Sequence, residues 1–467
     1  MMKLNKIYRT VLLLFAICLG ACSEEFLDLP PQSNGTVGQF YSNQADFETA
    51  VVGLYSGFKG AIIELQMLEE YRGDNLTNIQ YWYLELAENQ FGPNTTSMFW
   101  DLYTELVYPA NIILDRIDEV TMDDAARDRI KGQTYFFRGF AYYTLNLWFG
   151  GVPSVTAPLG VDESYSLGRS TEAEIWALVE SDFSQAVSLL DPSVEIGRVD
   201  KFDAETYLAK ALMQQQKWGL AETALADVFN NSGAALETNW NNLWTMDAEK
   251  NSQEYMLSVI LSPVAPANNW AQQFLFMENT PGLQGNFLYK PGYYESFEAG
   301  DIRRDETLGF TPNQLKEENR KYDFGYDLNE FRFIGDLIVL RFADVQLLYA
   351  EAISMNANST QQKSLDLMNE TRNRAGLAPL TLADVPTLED FITAILAERR
   401  AELAFEGHRY SDLKRQNRLV KYVNAMGGVY NFDETYNYVP IPLQEIEKVG
   451  SDICLLYTSP SPRDRTR

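Results

Sequence analysis

Histidine is almost absent from this chain of 467 residues: His408 is the only one. Cysteine is nearly as rare, and its copies at 18, 22 and 454 leave the body of the chain with none. A serine–histidine triad would have to run through His408, and neither multi-histidine nor thiolate metal sites have the ligands they need. No disulfide framework can form in the body. Any catalysis would rest on carboxylates, tyrosines or lysines. Basic charge is also in deficit, with 38 Lys and Arg against 65 Asp and Glu and a net charge of −27. Between residues 22 and 453 the imbalance is 32 against 64. Such a field repels phosphate backbones, which argues against a nucleic-acid partner. Strand signals are sparse. The apolar run at residues 11–19 is too brief to cross a bilayer as a helix, which needs ~20 apolar residues.

What is present at the N-terminus explains that short run. Lys3, Lys6 and Arg9 supply a positive n-region, the apolar run suits a secretory h-region, and Leu19-Gly20-Ala21-Cys22 follows. This order resembles a bacterial lipobox, in which the cysteine sulfur is lipidated and becomes the mature N-terminus. The expectation is a signal peptide over residues 1–21, lipid on Cys22 and a tether over residues 22–38 that carries Pro30-Pro31. Ser23-Glu24-Glu25 resembles the acidic signal that sends some lipoproteins to the cell surface. At the other end, residues 454–467 ("CLLYTSPSPRDRTR") turn basic and Ser/Pro-rich after a uniformly acidic chain. Their first eleven residues back-translate closely into a sequencing-library transposase adapter. They are read as contig-end read-through and excluded from the fold.

The 432 residues from 22 to 453 can bury a sizeable core as one large domain or two or three small ones. Helix signals dominate residues 39–453. Thr121 with Asp124 fits a capping box, and Gly150-Gly151 with Pro153 is a stop. Between them "YFFRGFAYYTLNLWF" is apolar nearly all round, as in a buried helix. Four antiparallel helix pairs are expected over residues 121–190, 203–230, 341–374 and 388–421, with turns at Trp218-Gly219, "NANST" and Gly407. The expected fold is all-α: a degenerate tetratricopeptide-like helix-pair scaffold. Residues 69–97 and 234–340 interrupt it as long irregular insertions, the second richest in Pro, Gly and aromatics over 263–330. Long insertions on a rigid scaffold are where binding function usually lies.

Several stretches together resemble the SusD/RagB family of nutrient-uptake lipoproteins across nearly the whole chain. They are "FYSNQADFETAVVGLY", "GQTYFFRGFAYYTLNLWFGGVP", "VLRFADVQLLYAEAI", "MNETRNRAGL", "ERRAELAFEGHRYSDLKR" and "YNYVPIPLQEI". The resemblance implies four tetratricopeptide-like pairs supporting a looped, ligand-facing half. It implies an outer-membrane, cell-surface lipoprotein that captures oligosaccharide or polysaccharide, or in some branches peptide. The ligand would pass to a SusC-type TonB-dependent transporter on which the protein sits as a lid. It implies no enzyme, no cofactor and no metal. Against it stand a carboxylate-dependent glycoside hydrolase, which needs only two suitably spaced acids, and a repeat scaffold that binds protein partners alone.

Individual residues divide by context. Glu398, Glu402 and Glu406 fall at i, i+4 and i+8, where unpaired they would repel. Arg138 and Arg341, each read as embedded in an apolar helix, need carboxylates if buried. A structural ion-pair network accounts for both sets. His408, after the Gly407 stop, reads as packed or capping. Tyr81-Trp82-Tyr83 beside Arg72, Asp74 and Asn75 suits a sugar, whose C–H face takes an aromatic ring and whose hydroxyls take charged or amide groups. The alternative is that Trp82 plugs its loop onto the scaffold. Trp270, Tyr289, Tyr293 and Tyr294 in the second insertion are further candidates for a ligand wall.

Overall fold

The computed structural model describes residues 40–78, 81–92, 96–97, 99–192, 195–261, 287–310, 317–322, 326–327, 332–333, 335–426 and 431–449. Cys22, the tether and residues 454–467 lie outside them. The first element, α1 (Gln44–Arg72), is capped by Asn43, whose side chain accepts from the Asp46 N–H at 3.3 Å. It runs through residue 72, so the segment expected to break the helical pattern at 69 starts inside its last, fully buried turn. Next come the short α2 (Tyr81–Ala87) and a π-helical turn, Tyr103–Val107, that leads into α3 (Tyr108–Arg116).

Helix α4 (Asp124–Phe149) forms the centre of the larger core. Asp123, not Thr121, caps it: its carboxylate accepts from the Ala126 N–H at 3.0 Å. Phe136, Phe137, Phe140, Tyr142 and Trp148 are all buried, each contributing roughly 1.5–3 kcal/mol by leaving water. Its partner α5 (Glu172–Leu189) opens on the Thr171–Glu174 capping box. The two helices approach closely because Gly139 has no side chain: a Cβ there would stand 3.0 Å from the Phe183 ring. Arg138 sits in this interface as a bidentate partner of Asp182 (2.8 and 2.7 Å) and donates to the Asn111 side chain at 2.9 Å.

Four more helices continue the stack: α6 (Lys201–Gln214), α7 (Trp218–Asn231), α8 (Phe342–Ala357) and α9 (Gln362–Arg374). Each packs on the next, α4 on α5 through α8 on α9, which is the serial helix-pair arrangement of a tetratricopeptide-like solenoid. The turn between α6 and α7 lies at residues 215–217, where Gln216 takes φ +59°, and Trp218 already belongs to α7. Asn358, in the left-handed region at φ +50°, ends α8. A last group, α10 (Leu388–Glu402), α11 (Arg409–Arg415) and α12 (Leu419–Ala425), packs across α8, α6 and α1. A second apolar core fills the space between α6, α7, α8, α9 and α10.

Among the described residues the strands are short and pair as four two-stranded antiparallel ribbons: β1 (Leu76–Asn78) with β3 (Phe287–Tyr289), β2 (Tyr255–Val259) with β8 (Leu337–Arg341), β4 (Leu308–Phe310) with β5 (Glu317–Asn319), and β6 (Tyr326–Asp327) with β7 (Arg332–Phe333). Arg341 is therefore the last residue of β8 and the N-cap of α8, in extended backbone, rather than a residue of the helix.

Buried charge ties this scaffold together. Arg341 reaches Glu254 (2.7 Å), Glu402 (2.6 Å) and Glu406 (2.7 Å). Arg374 reaches Glu254 at 2.6 Å and Glu402 at 2.5 Å. Arg303 joins Asp301, Glu398 and Glu402 at 2.8, 2.6 and 2.9 Å, and Lys321 pairs with Glu406. The three glutamates thus converge on cations, although Glu406 lies beyond the end of α10. His408 is buried, makes no side-chain capping hydrogen bond and lies 3.9 Å from Asp344. It holds the N-cap position of α11 through its backbone, while its side chain packs in the interior.

Candidate ligand-binding surface

The two insertions are joined in space. β1 from the first pairs with β3 from the second, Leu76 opposite Tyr289 and Asn78 opposite Phe287. One residue further on, the Lys290 N–H donates to the Asn75 carbonyl at 2.8 Å. The Lys290 ammonium turns inward and donates to the carbonyls of Gly73 (2.7 Å) and Tyr71 (3.3 Å). Burial pushes its pKa down to about 8, against the pull of Asp74.

Arg72, Asp74 and Asn75 form the floor beneath this joint. Arg72 is fully buried; it donates to the Leu86 carbonyl and the Asn89 side chain, each at 2.9 Å, and lies 3.6 Å from the centroid of the Tyr436 ring. A cation on the last carbonyls of α2 also suits that helix's dipole. Asp74 accepts from Arg409 and lies 3.4 Å from Arg400, and these guanidinium groups hold its carboxyl far below the usual range against its burial. Asn75 accepts from Arg400 at 2.6 Å and donates to Glu70 at 2.5 Å. Most polar groups of these three residues are thus engaged by protein. They position the residues above them.

Tyr81, Trp82 and Tyr83 open α2, three residues after β1, in a turn of helix rather than the expected loop. Their side chains, and all of Trp270, lie outside the described residues. Tyr289 is half-buried, and its hydroxyl brackets Gly309, donating to the carbonyl at 3.1 Å and accepting from the N–H at 3.0 Å. Tyr294 is half-buried and donates to Asp305 at 2.6 Å. Tyr293 is fully buried, edge-on to Tyr289 (5.8 Å, 83°), with the Arg400 guanidinium 4.6 Å from its ring centre. It supports the other two and has no accessible face.

A second aromatic surface escaped the sequence reading. A cleft of about 490 Å³ is walled by Trp100, Tyr103, Tyr108 and Tyr165, with Glu445 and Lys448 at its edge. Tyr108 is 49% exposed and Tyr165 52%. Tyr165, a lone aromatic in the polar stretch "VDESYSLG", carried a usable signal; Tyr108, at the start of an apolar helix, reads like any core residue.

Stacked helix pairs carrying two joined insertions define a class of all-α, tetratricopeptide-like protein. Within it, the SusD family model matches residues 334–452, and a model described as starch-binding associating with outer membrane matches residues 25–213. The chain belongs to the SusD/RagB family. It is 25% identical to SusD-like protein P38 of Formosa agariphila over 92% of this chain and 95% of that protein. It is 27% identical to SusD-like protein P25 of the same organism, covering 96% and 97%. A laminarin-binding SusD-like protein shares the fold, with a TM-score of 0.74 at 21% identity over 87% of this chain and 98% of its own.

Proposed function

We propose that the protein captures oligosaccharide or polysaccharide at the outer surface of a bacterial outer membrane and passes it to a SusC-type TonB-dependent transporter. The observation that carries this reading is the β1–β3 joint, which brings both insertions onto one buried, charge-locked floor. A mobile polysaccharide needs a platform fixed before it arrives, because ordering the site on binding would subtract from affinity. The partly accessible Tyr289 and Tyr294 supply aromatic surface at that joint, and aromatic walls with a few polar groups suit sugars. The laminarin-binding neighbour and the family model's description support the same class of ligand and the same membrane. The three glutamates that could have served a hydrolase are each bound to arginine in the interior.

Two outcomes follow. Trp82→Ala is expected to weaken binding of a confirmed oligosaccharide about tenfold, equivalent to ~1.4 kcal/mol, in calorimetric titration. Its melting temperature should barely move, and Tyr165→Ala should leave affinity unchanged. The reverse pattern would move the ligand to the 490 Å³ cleft, and a large fall in melting temperature would make Trp82 a plug. Cys22→Ser should release the protein from membranes, whereas Glu24→Ala with Glu25→Ala should leave it anchored but facing inward. Protease shaving of intact cells reads both; a wild-type protein that stays protected would sink the surface assignment.

A further inference from the structure

Beside the joint, the acidic protein carries a local surplus of positive charge that its fold does not neutralise. Arg400 and Arg409 share one carboxylate, Asp74, and Lys290 is buried against the same group. Among the described residues two further acids act on them: Glu70, which accepts from Asn75 and whose carboxyl burial pushes up to about 7, and Asp412, which acts on Arg409 but is paired with Arg399 and Arg415. Three cations are therefore set against Asp74, a glutamate that is partly protonated at neutral pH, and an aspartate already claimed by two other arginines. The stacking partners are neutral rings: Tyr293 at 4.6 Å from Arg400 and Tyr422 at 5.4 Å from Arg409.

A small cavity opens on this pair. It measures about 140 Å³ and is lined by Ser296, Phe297, Thr393, Arg400, Arg409 and Tyr422 among others. Thr393 and Ser296 are exposed at its rim, while Arg409 is buried at its base. Among the described residues, Arg400 spends Nε on Asn75 and Nη2 on Asp74, and its Nη1 donates to no acceptor. The Ser296 and Thr393 hydroxyls already donate to the Tyr293 and Glu389 carbonyls, so the unfilled guanidinium donor, in a cavity with surplus positive charge, is what matches a carboxylate or sulfate, which takes charge-assisted hydrogen bonds from arginine. The location follows from sequence: Ser296 and Phe297 come just after Tyr293 and Tyr294, so a chain lying across Tyr289 and Tyr294 passes this opening.

We infer that the cavity between Arg400, Arg409 and Ser296 receives an anionic substituent, carboxylate or sulfate, and that the captured glycan is therefore an acidic one. This rests on the glycan-capture reading and specifies its substrate class. The overall charge of −27 repels polyanions at a distance. A local cationic pocket thus selects chains that present their charge in register with the aromatic surface.

The test is calorimetric titration of the mature chain with three oligosaccharides matched in length: a neutral β-glucan, a uronate oligomer and a sulfated galactan. Wild-type protein should bind one of the acidic oligomers about tenfold more tightly than the neutral one, and which of the two assigns carboxylate or sulfate. Thr393→Glu places a negative charge on the exposed rim without touching the buried pairs. It should abolish that preference and leave the melting temperature unchanged. Equal or better binding of the neutral oligomer, or a preference that persists in Thr393→Glu, overturns the acidic-ligand inference while leaving glycan capture in place. Binding of none of the three to wild-type protein overturns both.

Discussion

Arg341→Met is expected to destabilise the protein by about 3–5 kcal/mol, because removing one member of a buried ion network strands the charges that remain. Three carboxylates are involved: Glu254, Glu402 and Glu406 all lie within 2.7 Å of this guanidinium. Methionine fills the volume, so the loss is electrostatic and not a cavity effect. The partners would be only partly served by Arg374 and Lys321. Trp240 and Trp244 close the site, their rings 5.5 and 6.0 Å from Arg341 and 5.1 and 4.5 Å from Lys321, which keeps water from rescuing the acids. Arg341→Lys keeps the charge but loses the planar fork, so an intermediate loss is expected. Urea unfolding monitored by tryptophan fluorescence reads all three proteins. A methionine variant as stable as wild type would show that apolar packing alone holds β8 to α10.

Much of this architecture is legible in the sequence because it depends on local signals. The all-round apolar run in α4 and the Thr171–Glu174 box need only neighbours within a few residues. The departures have equally definite causes. Thr121 has the right spacing for a box, but the Asp123 carboxylate is the one that reaches the Ala126 N–H. Arg341 looks helical because "LIVLR" runs straight into the mostly apolar "FADVQLLYA" with no turn signal between them, and a short buried strand cannot be told from a buried helix by periodicity. The candidate site was harder still. A cluster such as Arg72, Asp74 and Asn75 reads alike whether its partners are sugar hydroxyls or residues more than 300 positions away. Here the partners are Tyr436, Arg400 and Arg409. The β1–β3 joint, which decides where the two insertions meet, rests on two three-residue strands with no periodic signature at all.

The other large expected effect is a loss of stability as pH rises through neutrality, centred on Glu69. This residue lies in the last turn of α1, fully inside the protein, with the Ser411 N–H donating to its carboxylate at 2.8 Å. Burial pushes its carboxyl up to about 8; the Ser411 hydrogen bonds oppose that rise, and Asp412 and Glu70 add to it. An unfolded glutamate titrates near ~4.3. Between that value and 8 the folded protein holds a proton that the unfolded chain has released, so raising the pH favours unfolding, by on the order of 3–5 kcal/mol across the window. His408 acts with the opposite slope lower down. Burial holds its imidazole down to about 4, so the folded state excludes a proton that the unfolded state binds, and stability rises with pH from there to ~6.5. Asp412, held down to about 2 by Arg399 and Arg415 against its burial, loses its contribution only in strong acid. Glu69→Gln separates these terms, because the amide oxygen can still accept from Ser411 but carries no charge. Near pH 5 the variant should match wild type to within ~1 kcal/mol, and at pH 8 it should be the more stable of the two by a few kcal/mol. Urea midpoints across this range would show the two curves diverging with rising pH. Curves that stay parallel from pH 5 to 8 would mean that Glu69 is already ionised in the fold, with its charge met by a group other than Ser411.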